Sequence, residues 1–176
     1  HDNLKKVSGV TEAGIAGYLG NMEVESGFNP KSIESSATYD EAKAMNASLS
    51  GYAFGLNQWD SARRVALLAY AKAQNKQWSD ASLQLDFALN HDGTNSDLLK
   101  QGLKMTDVNQ ATEFLRAKWE RGGQGTTTKR QVLPVIGMQS SQMGHQIQPL
   151  IPQLMVPKRH KIRITQPTML VAVQPM

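Results

Sequence analysis

Every acidic residue of this 176-residue chain lies at or before Glu120, and every Trp, Tyr and Phe lies at or before Trp119. Aromatic side chains and charges of both signs are combined only in the first 120 or so residues, so the packed domain is expected there. The first 120 residues carry twelve Lys/Arg against fifteen Asp/Glu, a net of −3, and the remainder carries seven Lys/Arg and no acid, a net of +7. The formal net charge of +4 therefore belongs to the C-terminal stretch, and nucleic-acid binding cannot be inferred from it for the domain. The division expected is a packed domain over 1–128 and a basic Pro/Met/Gln-rich tail over 129–176. Six of the seven prolines and five of the eight methionines fall in that tail, where no helical period survives and an unpacked segment is predicted.

The absence of cysteine excludes disulfides, thiolate ligands and a cysteine nucleophile. His1, His91, His145 and His160 are scattered without a close-spaced pair, so no metal centre is expected. No apolar run is long enough to span a membrane. The chain begins at His1, which suggests a processed product or a fragment of a longer protein. Lys129-Arg130 and Lys158 to Arg163 have no interleaved aromatic for base stacking, and nucleic acid is not an expected partner.

The domain reads as mostly α, with at most a small β-hairpin. Residues 11–26 predict a helix: Thr11 suits the N-cap, and Ile15, Tyr18, Leu19 and Met22 follow the i, i+3, i+4, i+7 pattern. Gly27 suits the residue after the helix, and Asn29-Pro30 prevents continuation. A polar stretch follows, with a short helix expected around Glu41 to Met45, and 51–58 reads as a strand or turn. Further helices are predicted over 60–75 burying Val65, Leu68 and Ala71, and over 80–90 capped by Ser79 and burying Leu83 and Phe87. Two more are predicted over 97–104 and over 107–121, the latter burying Val108, Ala111, Leu115 and Trp119.

Two segments carry candidate chemistry. The first ends the helix with Glu25. At roughly 100° per residue, Glu25 falls about 70° from the centre of the apolar stripe, at the edge of the core. It also lies in the last turn, at the negative end of the helix dipole. Both features favour the protonated acid at such a position, and a protonated carboxylic acid can donate to a glycosidic oxygen. The second segment is Gly51 to Asp60. Gly55 allows close approach of a ligand or backbone, Tyr52, Phe54 and Trp59 offer flat apolar faces, and Gln58 offers a donor and an acceptor. Asp60 is the candidate second acid, to orient water or stabilise positive charge on the sugar, and Asp40 and Glu34 compete for that role.

The stretch Asn21 to Pro30, then Phe54 to Trp59, then Arg63-Arg64 with Leu67-Leu68 resembles the tail-associated lysozymes of bacteriophages. Lys118 to Gly123 is similar to the family's closing segment, and the resemblance covers roughly residues 8–125. More distantly, the pattern is similar to goose-type lysozymes and soluble lytic transglycosylases. The resemblance implies a lysozyme-like helical fold, with Glu25 as general acid and Asp60 in the place of an acid that follows the Gln segment in goose-type enzymes. It further implies cleavage of the β-1,4 bond between N-acetylmuramic acid and N-acetylglucosamine, without a cofactor. The partner would be peptidoglycan, together with other phage-tail or secretion-machine proteins, and the location extracellular or on a virion. Two rivals remain open: a lytic transglycosylase using Glu25 alone, and a non-catalytic wall-binding module. The sequence departs from the family at Ala53, where Gly or a polar residue is frequent, and in a shortened first helix, Asp2 to Ser8.

Overall fold

The computed structural model describes residues 2–5 and 7–121, so the expected tail over 129–176 lies outside the described residues. In chain order the helices are α1 (Asp2–Lys5), α2 (Glu12–Ser26), α3 (Glu41–Ala44), α4 (Ser61–Ala73), α5 (Ala81–Asp86), α6 (Thr94–Leu103) and α7 (Val108–Phe114). Helix α5 runs on into a π-helical turn at Phe87–His91, α7 into another at Leu115–Glu120, and a 3-10 turn occupies Glu34–Ser36. The fold is mostly helical, as expected. Among the described residues there is no strand, only isolated antiparallel bridges pairing Ile33 with Phe54 and Phe54 with Trp59.

Helix α2 is the central element. Its N-cap is Thr11, whose hydroxyl accepts from Gly14 N, and its C-cap Gly27 is left-handed at φ 59°, with its N–H donating to Glu23 O. The expected apolar stripe is present, but burial extends around the helix through Ala13, Gly14, Ala16, Gly17 and Gly20, while Leu19 is only half-buried. Small residues allow this by bringing neighbouring backbones close. A Cβ on Gly14 would lie 2.1 Å from Leu103 O in α6, and one on Gly17 would lie 2.8 Å from the Ala111 Cβ in α7. Asn21, fully buried, donates through Nδ2 to Gly17 O at 3.0 Å and Thr112 O at 3.1 Å, tying α2 to α7. Around this helix Tyr18, Trp59, Leu67, Phe87, Leu99, Leu103, Leu115 and Trp119 form the main core.

Several element boundaries and faces differ from the sequence reading. Asp80, not Ser79, caps α5, because its carboxylate reaches Leu83 N. Helix α6 begins at Thr94 rather than Asp97. Helix α4 buries Arg64, Leu67, Leu68 and Ala71, and Val65 is only half-buried. That stripe still has helical spacing, but it starts from a charged residue whose partners lie on another segment. Val108 is also half-buried, at the very start of α7.

The close approach of α2 to α6 sets an expected outcome. Gly14→Ala forces the two backbones apart and should destabilise the domain by about 1–3 kcal/mol, as overpacking of a tight core does. Equilibrium urea unfolding measures it, and an unchanged midpoint would show that the approach is looser than described.

Candidate functional site

The cleft that holds Glu25 is built from loops, so its shape depends on how each loop is tied. Past Gly27, Phe28 is also left-handed (φ 62°) and exposed. Asn29 closes the turn by accepting from Lys31 N at 3.0 Å. The chain then runs beside the second candidate segment: Gly55 N donates to Ser32 O at 2.7 Å and Glu34 N donates to Ala53 O at 2.9 Å. The second segment closes on itself, with Phe54 N donating to Trp59 O and Trp59 N to Phe54 O, both at 2.9 Å.

Two side chains lock these loops to the helices. Ser26 Oγ, in the last turn of α2, donates to Leu56 O at 2.8 Å. Gln84 of α5 is fully buried; its Nε2 donates to Pro30 O and to Trp78 O, both at 2.8 Å, and its Oε1 accepts from Leu56 N at 2.9 Å. Gly55, left-handed at φ 72°, packs against this amide so closely that a Cβ would lie 2.6 Å from Gln84 Oε1. Gly55 is required here on both counts.

The result is an open cleft of about 450 Å³ whose lining includes Glu25, Ser32, Glu34, Ala53 and Gln58. Glu25 is half-buried at the end of α2. Ser35, Ser36 and Gln58, also in the lining, are left-handed at φ 56°, 55° and 48°. Left-handed non-glycine residues are costly and persist where the surroundings over-determine them, commonly at functional sites.

The structure thus brings Glu25, Gln58 and the competing acid Glu34 together, along with Ala53, and it places Tyr52, Phe54, Trp59, Asp40 and Asp60 outside that lining. Tyr52, Phe54 and Trp59 are interior, at 5%, 0% and 0% exposure. Phe54 stacks on Trp78 with centroids 4.7 Å apart and meets Tyr52 edge-on at 5.2 Å, which makes a second small core beneath the loop. Trp59 packs edge-on against Phe87. Among the described residues, the large apolar side chains left exposed are Phe28, Tyr39 and Met45.

Asp60 caps α4 and does not line the cleft. Its Oδ1 accepts from Ser61 N at 2.7 Å and pairs with Arg64 Nη1 at 2.7 Å, and its Oδ2 accepts from Gly51 N at 3.0 Å. Asp40, another acid considered from sequence, caps α3 by accepting from Lys43 N at 2.9 Å.

Residues that sequence reasoning did not single out individually carry the scaffold. Arg64 has no exposed surface and donates to six oxygens: those of Lys43, Ala44, Asn46, Leu49 and Tyr52, and Asp60 Oδ1. Arg63 forms an ion pair with the buried Asp92, donates to Trp119 O at 3.1 Å and lies 5.3 Å over the Trp119 ring. The Arg-Arg pair and the closing Trp therefore touch, although 55 residues of chain lie between Arg63 and Trp119. Tyr18 accepts from Asn57 Nδ2 at 2.9 Å, and burial pushes its hydroxyl well above the usual tyrosine range, so it stays neutral.

A family model for phage tail lysozymes matches residues 2–133. The chain belongs to the phage tail lysozyme family. Membership gives it a lysozyme-like, peptidoglycan-degrading character of the glycosidase type. No curated protein matches the chain. Among the described residues no helix is long and apolar enough to cross a membrane.

The family's Arg-containing helix yields a stability expectation. Arg64→Met keeps the volume but takes one donor from each of five backbone carbonyls and from the Asp60 carboxylate, which keeps its bonds from Gly51 N and Ser61 N. Breaking a buried pair in this way costs about 3–5 kcal/mol. Chemical denaturation of the variant measures the loss, and a cost under about 1 kcal/mol would mean that water replaces the guanidinium.

Proposed function

We propose that this phage tail lysozyme is a muramidase that cuts the β-1,4 bond between N-acetylmuramic acid and N-acetylglucosamine in glycan strands, with Glu25 as the general acid. The observation that carries the reading is the meeting of the two sequence motifs in one cleft. Glu25 ends the central helix, and the Ala53–Gln58 turn supplies part of the same lining. An acid donor needs a fixed carboxyl beside a groove that admits a sugar. Here the helix end is fixed by Ser26 and Gly27, and the groove is open.

Gln58 is proposed to hydrogen-bond the bound sugar. Its amide Nε2 donates to Gly55 O at 2.9 Å, which leaves the Gln58 carbonyl oxygen to accept from a sugar hydroxyl or acetamido N–H. Tyr52, Phe54 and Trp59 act from beneath, as the packed base on which Ala53 and Gln58 rest. The product would be a local opening in the wall, in keeping with a role on a virion during entry.

One observation favours the rival in which Glu25 works alone as acid and then base, with the sugar's own hydroxyl as nucleophile. Both oxygens of Asp60 are engaged by Gly51, Ser61 and Arg64. The two reactions differ in product: hydrolysis leaves a reducing end, and transglycosylation leaves a 1,6-anhydro end.

Mass spectrometry of fragments released from purified peptidoglycan tests the assignment. The wild type should release reducing muropeptides, and Glu25→Gln should lower the rate by about 10²- to 10⁴-fold, the usual contribution of a general acid. The melting temperature should hardly move, because glutamine keeps the shape of the side chain. Anhydro ends would favour the rival, and no fragments from walls of several types would leave a binding module. A fall in melting temperature of many degrees would make Glu25 structural.

A further inference from the structure

The acids that line the cleft among the described residues are Glu25 and Glu34, and Glu34 has the placement that Asp60 lacks. Glu34 opens the 3-10 turn. Its backbone and side chain clasp a single residue of the other segment: Glu34 N donates to Ala53 O at 2.9 Å, and Glu34 Oε2 accepts from Ala53 N at 3.2 Å. This fixes one carboxylate oxygen and leaves Oε1 without a protein partner among the described residues. The chain then turns sharply through the left-handed Ser35 and Ser36, with Ser36 N donating to Ile33 O at 3.0 Å. A half-buried carboxylate anchored by one oxygen, in a strained turn, in the same cleft lining as Glu25, is arranged for chemistry at its second oxygen.

We infer that Glu34, not Asp60, is the second catalytic residue of this site and takes the proton of the attacking water. The inference rests on the muramidase reading and completes it. The C1–O4 bond breaks, and its electron pair leaves with O4, which takes the Glu25 proton. The water oxygen bonds to C1, and the water proton passes to the Glu34 carboxylate. Glu25 is then ionised and Glu34 protonated, and one proton exchange through solvent restores both. Asp60 is a positioning residue that holds Gly51 and Arg64.

Steady-state rates on purified glycan strands, with end-group analysis, test this in the wild type, Glu34→Gln, Glu34→Ala and Glu25→Gln. Glutamine still accepts from Ala53 N through its carbonyl, so Glu34→Gln should fold with a melting temperature close to the wild type. Its kcat should fall about 10²-fold or more, with KM changed only a few-fold. Sodium azide, a small anion that needs no base, should restore turnover to Glu34→Ala and give a glycosyl azide, and should not restore Glu25→Gln. A Glu34→Gln enzyme with wild-type kcat overturns the inference, as do anhydro ends from the wild type or a folded Glu34→Ala that azide does not rescue. An inactive Glu25→Gln beside an active Glu34→Gln removes this inference alone. A wild type that releases no fragments removes the muramidase reading and this inference together.

Discussion

A single buried guanidinium holds together the part of the molecule that has no regular structure. Arg64 gathers five backbone carbonyls from residues 43–52 and the Asp60 carboxylate onto one planar fork. Removing such a charge from water costs several kcal/mol, and only a full set of acceptors plus a counter-charge offsets it. Asp60, four residues back on the same helix, supplies that counter-charge, and the Tyr52 and Phe54 rings lie 5.6 and 5.9 Å from the guanidinium. Lysine has three donors on a point charge and cannot span these acceptors. The loop that follows α3, over 45–52, has few backbone bonds of its own, so its shape is set by what Arg64 reaches.

From that anchor the order propagates into the cleft. Tyr52, held at its carbonyl by Arg64, leads directly to Ala53, whose N and O are both taken by Glu34. Gly55 and Leu56 are then pinned by Ser32, Gln84 and Ser26. In place of a sheet, with its repeating ladder, the site uses one-residue bridges and side chains that each serve two or three loops. Such an arrangement tolerates left-handed residues at Ser35, Ser36 and Gln58, which a regular strand would exclude. The strain of those residues is carried by a network anchored on rigid helices, which holds the carboxylates in place before any ligand arrives.

The parts legible in the sequence are those that depend on local chemistry. The end of α2 followed from Gly27 and Pro30, and its cap at Thr11 from a short polar side chain ahead of an apolar period. The helical class and the family also followed. What was not legible depended on distant partners. Arg64 and Gln84 count as outward residues in any periodicity reading, yet both are fully buried, because carbonyls on other loops satisfy them. The face of α4 rotated accordingly, from Val65 toward Leu67. The π-helical turns at Phe87–His91 and Leu115–Glu120 likewise have no local signature, because propensity does not distinguish them from a continuing helix. The aromatic residues of the second motif read from sequence as a sugar-binding surface, yet they are interior, because exposure cannot be read from residue type alone.

Ala53 shows how the two kinds of information combine. Its departure from the family pattern raised the question of a missing side-chain function. In the structure it sits between Tyr52 and Phe54, whose rings point into the small core, and it contributes through its backbone: N to Glu34 Oε2, O from Glu34 N. With only 6% of its surface exposed, the position requires a small side chain more than a polar one. Glycine would preserve both hydrogen bonds at the cost of a more flexible backbone, and alanine preserves them with less entropy to lose. The exchange therefore stiffens the residue that holds the Glu34 backbone and one oxygen of its carboxylate.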